Sequence, residues 1–525
     1  MSLTAAGLIR VHGPLHQRCP GSGNPPSTSP LHRSPDGENE ADVAVPRDTA
    51  SRHSSEPGES LSPDGALSLP SSFQRYVKTI DRIPSAARYQ CATKFTAILA
   101  DVTTSNSLAA WDRLLRFPTR CLRLPDGSDR SRSLSTKIKE QLFREESPPP
   151  HPRCPTRKIS SDLESSPHSL NKRLSQRVSK KIEAGDVRGA IRLASANDIL
   201  ADFDEETFSA LKTKHPPPPQ DSDIPPPPSP DHDVPFQISM DAVRAAIASF
   251  PNGSAAGPDK LQPQHLKDMI SSFSNSSDSP LLAALVDFCS LVLQGNTPEE
   301  VRPFFFGASL VAFRKKQGGV RPIAVGCTLR RLVAKIAGKM VRSEMADLLS
   351  PRQLGFGVQG GAEAAVHAAR TYLSSMPSDH ALVKLDFKNA FNSTRRDRML
   401  EATLSFAPDI FPLVYSAYSA PSHLFWGDRL LSSAEGVQQG DPLGPLLFCL
   451  TLFPLSQRLS SRFCVCYLDD VSIGGSCDTI LSDLRVVEEA ESLGLVLNTQ
   501  KSEIISFDPS VCGVSFIFSS WCSCD

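Results

Sequence analysis

The sequence predicts a mixed α/β (α+β) domain over residues 236–507, preceded by a helical and disordered N-terminal region. Three observations carry that expectation. Of the 45 prolines, 29 fall within residues 1–235, so regular structure concentrates in the C-terminal half. From about Phe236 to about Phe507, helical and strand-like segments alternate in the only stretch long and apolar enough for a large core. Within it, two short apolar runs each end in acidic residues, the pattern of strands that deliver carboxylates to a common edge.

Composition narrows the class. At 525 residues the chain exceeds one folding unit. A net charge of −1 excludes a globally basic nucleic-acid binder but leaves room for a local basic groove. No run of about 18 apolar residues predicts a membrane span, and the N-terminus lacks the charged start and apolar block of a secretory signal. The 13 cysteines are irregularly spaced and include no C-x-x-C, which disfavours a disulfide framework or zinc ribbon. A reducing intracellular setting, nucleus or cytoplasm, is expected. His12, His16 and Cys19 are too few for a zinc site.

Taken in order, residues 1–70 are Ser-, Pro- and Gly-rich and are expected to be disordered, because they bury too little apolar surface to offset ordering entropy. Residues 71–145 predict a small helical region, with Trp111, Leu114, Leu115 and Phe117 on an apolar face and Arg113, Arg116, Arg120 and Arg123 on a solvated basic one. Residues 146–168 read as a linker. Residues 169–214 read as a helical pair: Leu174, Val178, Ile182, Val187, Ile191 and Leu193 recur at helical spacing around a break at Gly185-Asp186. Residues 215–235 hold the runs Pro216–Pro219 and Pro225–Pro228, expected to form a stiff polyproline spacer, with a proline-binding partner as the weaker reading. The main domain spans 236–507, and 508–525 form a Ser/Cys-rich tail. No internal repeat is present.

The chemistry is expected at the acids. Leu382-Val383-Lys384-Leu385-Asp386 is a short strand ending in one acid. Phe463 to Gly475 reads as a hairpin with Asp469 and Asp470 at its turn. Acids beside a buried strand are costly unless compensated, and a divalent cation is the natural compensation. Mg²⁺ prefers oxygen ligands and is usually held by one or two carboxylates plus substrate phosphates; Mn²⁺ is the alternative. If the two strands are neighbours, Asp386 and Asp469 converge on the same ions, the arrangement suited to in-line phosphoryl displacement. An isolated Asp-Asp would be an ordinary turn, so its context decides. Between the acids, Gly436 to Pro445 forms a Gly/Pro-rich loop followed by an apolar helix, and glycine there permits close backbone approach to a nucleotide. Upstream, Arg314 to Arg342 holds nine basic residues and no acid, beginning with two strands around Gly318-Gly319 that present cations to a triphosphate or a template backbone.

In combination these segments resemble the reverse transcriptases of non-LTR (LINE-like) retrotransposons. Asp386-Phe387-Lys388-Asn389-Ala390-Phe391-Asn392, Gln439-Gly440-Asp441-Pro442-Leu443-Gly444-Pro445 and Tyr467-Leu468-Asp469-Asp470 look like successive palm motifs. Arg321-Pro322-Ile323 looks like the fingers motif. Ala256-Gly257-Pro258-Asp259, Gly355-Phe356-Gly357 and Leu493 to Lys501 have counterparts in order. The resemblance covers about residues 236–507 and implies a right-hand polymerase with fingers and an antiparallel palm sheet. It implies an RNA-directed DNA polymerase that adds dNTPs to a DNA primer on an RNA template. Asp386, Asp469 and Asp470, with the Phe387 carbonyl, would hold the metals. Arg321 would grip the triphosphate, and Phe391 would exclude a 2′-hydroxyl. Gln439 and Gly440 would line the nucleotide site, and Lys501 would protonate the leaving pyrophosphate.

The chain departs from the pattern in two ways. Lys260 stands where the family often has Gly. No thumb follows Lys501 and no endonuclease is recognisable, so the domain is expected to be truncated after the palm. A catalytically inactive remnant that binds RNA or protein is the alternative from another class. An RNA-dependent RNA polymerase is disfavoured by Phe391, since that enzyme must admit the 2′-hydroxyl.

Overall fold

Strand alternation in the C-terminal half builds the layer that carries the acids. In the computed structural model, residues 2–3, 9–12, 77–125, 131–143, parts of 175–195, 199–229, 237–273, 279–315 and 318–507 are described. The first sheet is antiparallel throughout and runs, edge to edge, Ser2–Leu3, Ile9–His12, Glu503–Ser506, His380–Leu385, Asp470–Ser476 and Phe463–Tyr467. The two acid-bearing strands are neighbours, with Leu385 opposite Val471. Val383, Leu385, Val471 and Ile473 point into one core with Phe448, Leu452, Ile480 and Leu484, contributed by the helices Gly444–Gln457 and Cys477–Glu488. Side chains alternate across a strand, so Leu382 faces the other side, where Phe463 and Tyr372 of the helix Gly361–Ser374 cover it. Ser476 caps the helix Cys477–Glu488 by accepting from the Thr479 N–H.

The second sheet supports the basic hairpin. Ala308–Arg314 and Val320–Gly326 pair antiparallel from Ala308↔Gly326 to Arg314↔Val320, and Gly318 and Gly319 take left-handed conformations between them. Ala308–Arg314 also pairs in parallel with Ser422–Trp426, which continues into Arg429–Ser433. Ile199–Leu200 adds to the far end of Ala308–Arg314.

The N-terminal helices are not a separate body. Ser85–Ser105, Leu108–Cys121 and Leu134–Phe143 share one apolar core with Pro280–Leu293 and Thr328–Met340. Trp111, Leu114, Leu115 and Phe117 are all buried, and the Trp111 ring lies 5.6 Å from Phe288 and 5.2 Å from Phe305. Among the described residues no helix is long and apolar enough to cross a membrane, and the cysteines are free thiols.

Three expectations change. The strands Ser2–Leu3 and Ile9–His12 fall within the stretch assigned to disorder, the second pairing with Glu503–Ser506; the rest of 1–70, the linker 146–168 and the tail 508–525 lie outside the described residues. The apolar periodicity before residue 195 does not mark a buried face, because Ile182, Val187 and Ile191 are exposed. The proline segment is a strap rather than a free spacer. Asp221 pairs with Arg395 at 2.9 Å, the Asp223 N–H donates to Asp397, Ile224 packs against the main core, and the Lys214 carbonyl accepts from Asn389. That engagement leaves a partner for the proline runs without support.

A buried ion pair ties the helix after the basic hairpin to the Gly/Pro-rich loop. Arg330, on the helix that follows the basic hairpin, donates to Asp441 Oδ2 at 2.7 Å and to Gln438 Oε1 at 2.5 Å, and its guanidinium lies over Phe306 and Tyr418. Tyr418 Oη donates to the same Asp441 oxygen at 2.6 Å. Burial disfavours the Arg330 charge, but Asp441 and Tyr418 more than offset it, and its pKa rises. Arg330→Met removes one partner and leaves a buried carboxylate, so it should cost about 3–5 kcal/mol in urea unfolding. Adding Asp441→Leu should recover most of that loss, because the pair as a whole is close to neutral against an apolar replacement.

Candidate polymerase active site

The sheet register brings the acids together. Asp386 follows directly on His380–Leu385 and shares strand parity with Lys384 and Leu382, so it lies on the face opposite the two covering helices. The Asp386 carboxylate accepts from Asn498 Nδ2 at 2.8 Å. Its backbone N–H donates to Ser502 Oγ at 3.1 Å, and its carbonyl accepts from the Asn498 N–H at 2.7 Å. Asn498 thus fixes the residue from both side chain and backbone.

Asp469 sits in a two-residue turn between Tyr467 and Asp470. Burial pushes its carboxyl above the ordinary value; the charges of Asp470 and Asp386 add to the rise, while its own backbone N–H and Lys384 oppose it. Asp386 and Asp469 therefore feel each other through a partly desolvated space, as expected for carboxylates that lack a resident counter-charge. Asp470 is exposed and pairs with Lys384 at 3.6 Å. Among the described residues no group of three or more His, Cys, Asp or Glu side chains forms a metal cage. Two converging carboxylates with the neighbouring Phe387 backbone fit an ion that takes its remaining ligands from water and phosphate. Phe387 itself is bridged to Leu497, and its side chain is buried in the core beneath the sheet.

Cations gather around Lys315, within reach of the Asp386 charge. Burial lowers the Lys315 ammonium below its usual value, the charges of Lys214, Lys501 and Arg321 lower it further, and Asp386 opposes them. Arg321 is exposed on Val320–Gly326, and Lys501 is exposed after Asn498. Lys315 belongs to the basic hairpin read from the sequence; Lys214 has no such signal. Lys214 belongs to a helix some 170 residues upstream of Asp386, and its carbonyl is held by Asn389, three residues after that acid.

The Gly/Pro loop is stitched to both sides of the site. The Val437 N–H donates to the Phe391 carbonyl at 2.6 Å, the Gly436 N–H to Thr394, and the Ala324 N–H to the Gln439 carbonyl at 2.7 Å. Arg396, fully buried, donates to the Gly436 carbonyl and to Ser433 Oγ. Phe391 is half-buried and stacks on Phe448, ring centroids 4.8 Å apart. Gly440 has φ 132°, and a Cβ there would meet the Ala324 carbonyl oxygen at 2.2 Å. Its bareness thus serves close contact with the basic hairpin. Gln439 is half-buried beside it.

The opening motif is structural in this chain. A Cβ on Gly257 would lie 2.6 Å from the Gly326–Cys327 peptide, so the motif packs on the end of the Arg321 strand. Burial pushes the Asp259 carboxyl up to about 7, against the charge of Arg331. Lys260 has φ 64°, which accounts physically for the glycine common at this point in the family it resembles.

Comparison with known proteins agrees with the geometry. Residues 313–516 match the family described as reverse transcriptase (RNA-dependent DNA polymerase). The retrotransposable element SLACS 132 kDa protein of Trypanosoma brucei gambiense is 30% identical over 227 residues, which make up 41% of this chain and 19% of that protein. The chain therefore spans about a fifth of that relative's length. Among solved structures, apo telomerase from Candida tropicalis truncated from its C-terminal domain superposes with a TM-score of 0.31 at 14% identity, over 40% of this chain and 52% of that one. Telomerase from Candida albicans with a fragment of telomeric RNA gives a TM-score of 0.31 at 11% identity, over 39% and 43%. Residues 313–516 are therefore similar to reverse transcriptase domains, and 227 residues of the chain to a retrotransposable-element protein.

Proposed function

We propose that this chain is an RNA-directed DNA polymerase that extends a DNA primer on an RNA template by two-metal nucleotidyl transfer. The observation that carries the reading is that Asp386, just past one strand, and Asp469, at the turn into its antiparallel neighbour, influence each other's charge, while the charges of Lys214, Arg321 and Lys501 gather with Asp386 about Lys315. Acids and cations gathered in this way match a reaction in which phosphate charge must be held and neutralised.

In this reading Asp386 and Asp469, with the Phe387 carbonyl, hold Mg²⁺, and Asp470 contributes charge from the rim. When bound, such ions stabilise the attacking and leaving oxygens of the displacement. Arg321 and Lys315 orient the triphosphate, as guanidinium and ammonium donors do for phosphate oxygens. In this reading Lys501 gives a proton to the departing pyrophosphate. Asn498 keeps the Asp386 carboxylate aimed by occupying one of its oxygens. Phe391 is held by its stack on Phe448 and by Val437 at its carbonyl, which suits it to exclude a 2′-hydroxyl. The partners are then an RNA template, a DNA primer and dNTPs.

The first test is primer extension on an RNA template with dNTPs and Mg²⁺. Asp469→Asn should lower the rate by about a thousandfold or more. The same variant should be more stable than the parent without metal. A carboxyl whose proton affinity is raised by folding stabilises the fold below the ordinary carboxylate pKa and loses that contribution as pH rises through the folded value. At neutral pH, Asp469→Asn should therefore raise the metal-free Tm. That gain should vanish below about pH 4. Equal Tm values at neutral pH would remove the charge-crowding argument.

Phe391→Val should leave dNTP incorporation largely intact and reduce discrimination against rNTPs by about 10–100-fold. An unchanged rNTP/dNTP ratio of kcat/KM would make Phe391 a core residue only.

A further inference from the structure

The turn that carries Asp469 is held by more than its own hairpin. Leu468 has φ 56°, a left-handed conformation that Gly or Asn takes readily in two-residue turns. For a branched side chain such as Leu the conformation costs about 1–2 kcal/mol. A residue in such a conformation persists only when its surroundings over-determine it.

Those surroundings come from the chain segment before the helix Gly361–Ser374. The Cys466 N–H donates to the Arg352 carbonyl at 2.7 Å, and the Leu354 N–H donates to the Cys466 carbonyl at 2.8 Å, so residues 352–354 run beside Phe463–Tyr467 as a short parallel edge. Gln353 lies between those two bonds, and only 4% of it is exposed. Its Oε1 accepts from the Leu468 N–H at 2.8 Å and from the Gly355 N–H at 2.9 Å, while its Nε2 donates to the Leu468 carbonyl at 3.3 Å. One side-chain amide therefore grips both polar groups of the strained residue. The partners also fix the amide orientation, since the oxygen faces two donors and the nitrogen faces an acceptor.

Gly355 makes the grip sterically feasible. A Cβ there would lie 2.6 Å from the Leu468 nitrogen and 2.7 Å from its side chain. No residue larger than glycine allows the segment to lie this close to the turn.

We propose that Gln353 is a positioning residue for Asp469: it locks the Leu468 peptide in its left-handed conformation and so aims the next residue's carboxylate into the site. The proposal rests on the polymerase reading for its kinetic consequence but not for its structural one. Gln353 touches no reacting atom, and its effect passes through the backbone of Leu468. Misplacement of a reacting group by about 1 Å can cost about a hundredfold in rate.

The test uses the full chain with Gln353→Met, which keeps volume and removes all three bonds, and Gly355→Ala, which pushes the segment away from the turn. Hydrogen exchange of peptides covering residues 463–476 is measured beside primer extension. In both variants the Leu468 amide should exchange at least about tenfold faster, while peptides from the helix Gly444–Gln457 stay at the parent rate. The kcat should fall by about 10–100-fold, and KM for dNTP should change by less than about twofold. Leu468→Asn, which tolerates the left-handed conformation, should raise kcat in the Gln353→Met background and not in the parent, a coupling that a merely structural role would not produce. Parent-like exchange at Leu468 in the variants, or effects of the two substitutions that simply add, would overturn the proposal. If the parent chain fails to extend a primer, the polymerase reading falls, and the exchange measurement still decides whether Gln353 holds the turn.

Discussion

Two carboxylates that repel each other are placed together by strand pairing, and the rest of the domain is arranged to tolerate that. Asp386 follows one strand and Asp469 sits at the turn leading into its antiparallel neighbour, so the register that buries Val383, Leu385, Val471 and Ile473 on one face carries both acids to the same end of the strand pair. The fold lets them share a space because each is held by something other than its neighbour. Asn498 grips Asp386, and Gln353 grips the peptide before Asp469. Neither clamp neutralises charge. That leaves the electrostatic demand of the pair to be met by what binds, as suits a site that works on phosphate.

Buried arginines perform the complementary task of fixing backbone. Arg330 and Arg396 spend their donors on carbonyls and side-chain oxygens of the loop Gly436–Asp441 and its surroundings. A loop rich in Gly and Pro has few side chains with which to pack, so its conformation is set from outside. A rigid fork of guanidinium donors is well matched to that role. Burial pulls the Arg396 pKa down to about 10 even with Tyr418 and Glu435 opposing it, so this residue carries a real desolvation cost. The return is a loop whose Gln439 carbonyl is tied to the Arg321 strand and whose Val437 N–H is tied to Phe391. The basic hairpin and the segment carrying Phe391 are thereby in fixed register.

What was legible in the sequence is what is local. The acids sit at the ends of short apolar runs, the basic hairpin turns at Gly318-Gly319, and Trp111 to Phe117 show their buried face by spacing alone. What was not legible is what depends on chain segments meeting across long separations. Gln353 lies 115 residues from the turn it holds, and Asn498 lies 112 residues from Asp386. A buried amide has no periodicity to announce it. Gly440 shows the same limit in another form: its loop context was readable, but its neighbour, Ala324, was not. Ile182, Val187 and Ile191 mislead in the opposite sense, since helical spacing reports an apolar stripe without saying whether anything covers it.

The proline segment shows why composition alone misjudges such stretches. Eight prolines in two runs remove backbone donors and stiffen the chain, which reads as a spacer. Stiffness also lowers the entropy lost when such a segment is laid on a surface, so few anchors suffice to hold it. Here the anchors lie between and beside the runs: Asp221 on Arg395, the Asp223 N–H on Asp397, Ile224 in the core, and the Lys214 carbonyl on Asn389. Burial works against the Asp397 carboxylate, and hydrogen bonds from Arg395, Arg398 and Asp223 keep its pKa low, so the strap joins a network that is already charged and directional. Because Asn389 and Arg395 flank the short helix Ala390–Ser393 that carries Phe391, the strap braces the segment immediately after the first acid. An N-terminal region that looks peripheral in sequence is in this way mechanically continuous with the residues that define the site.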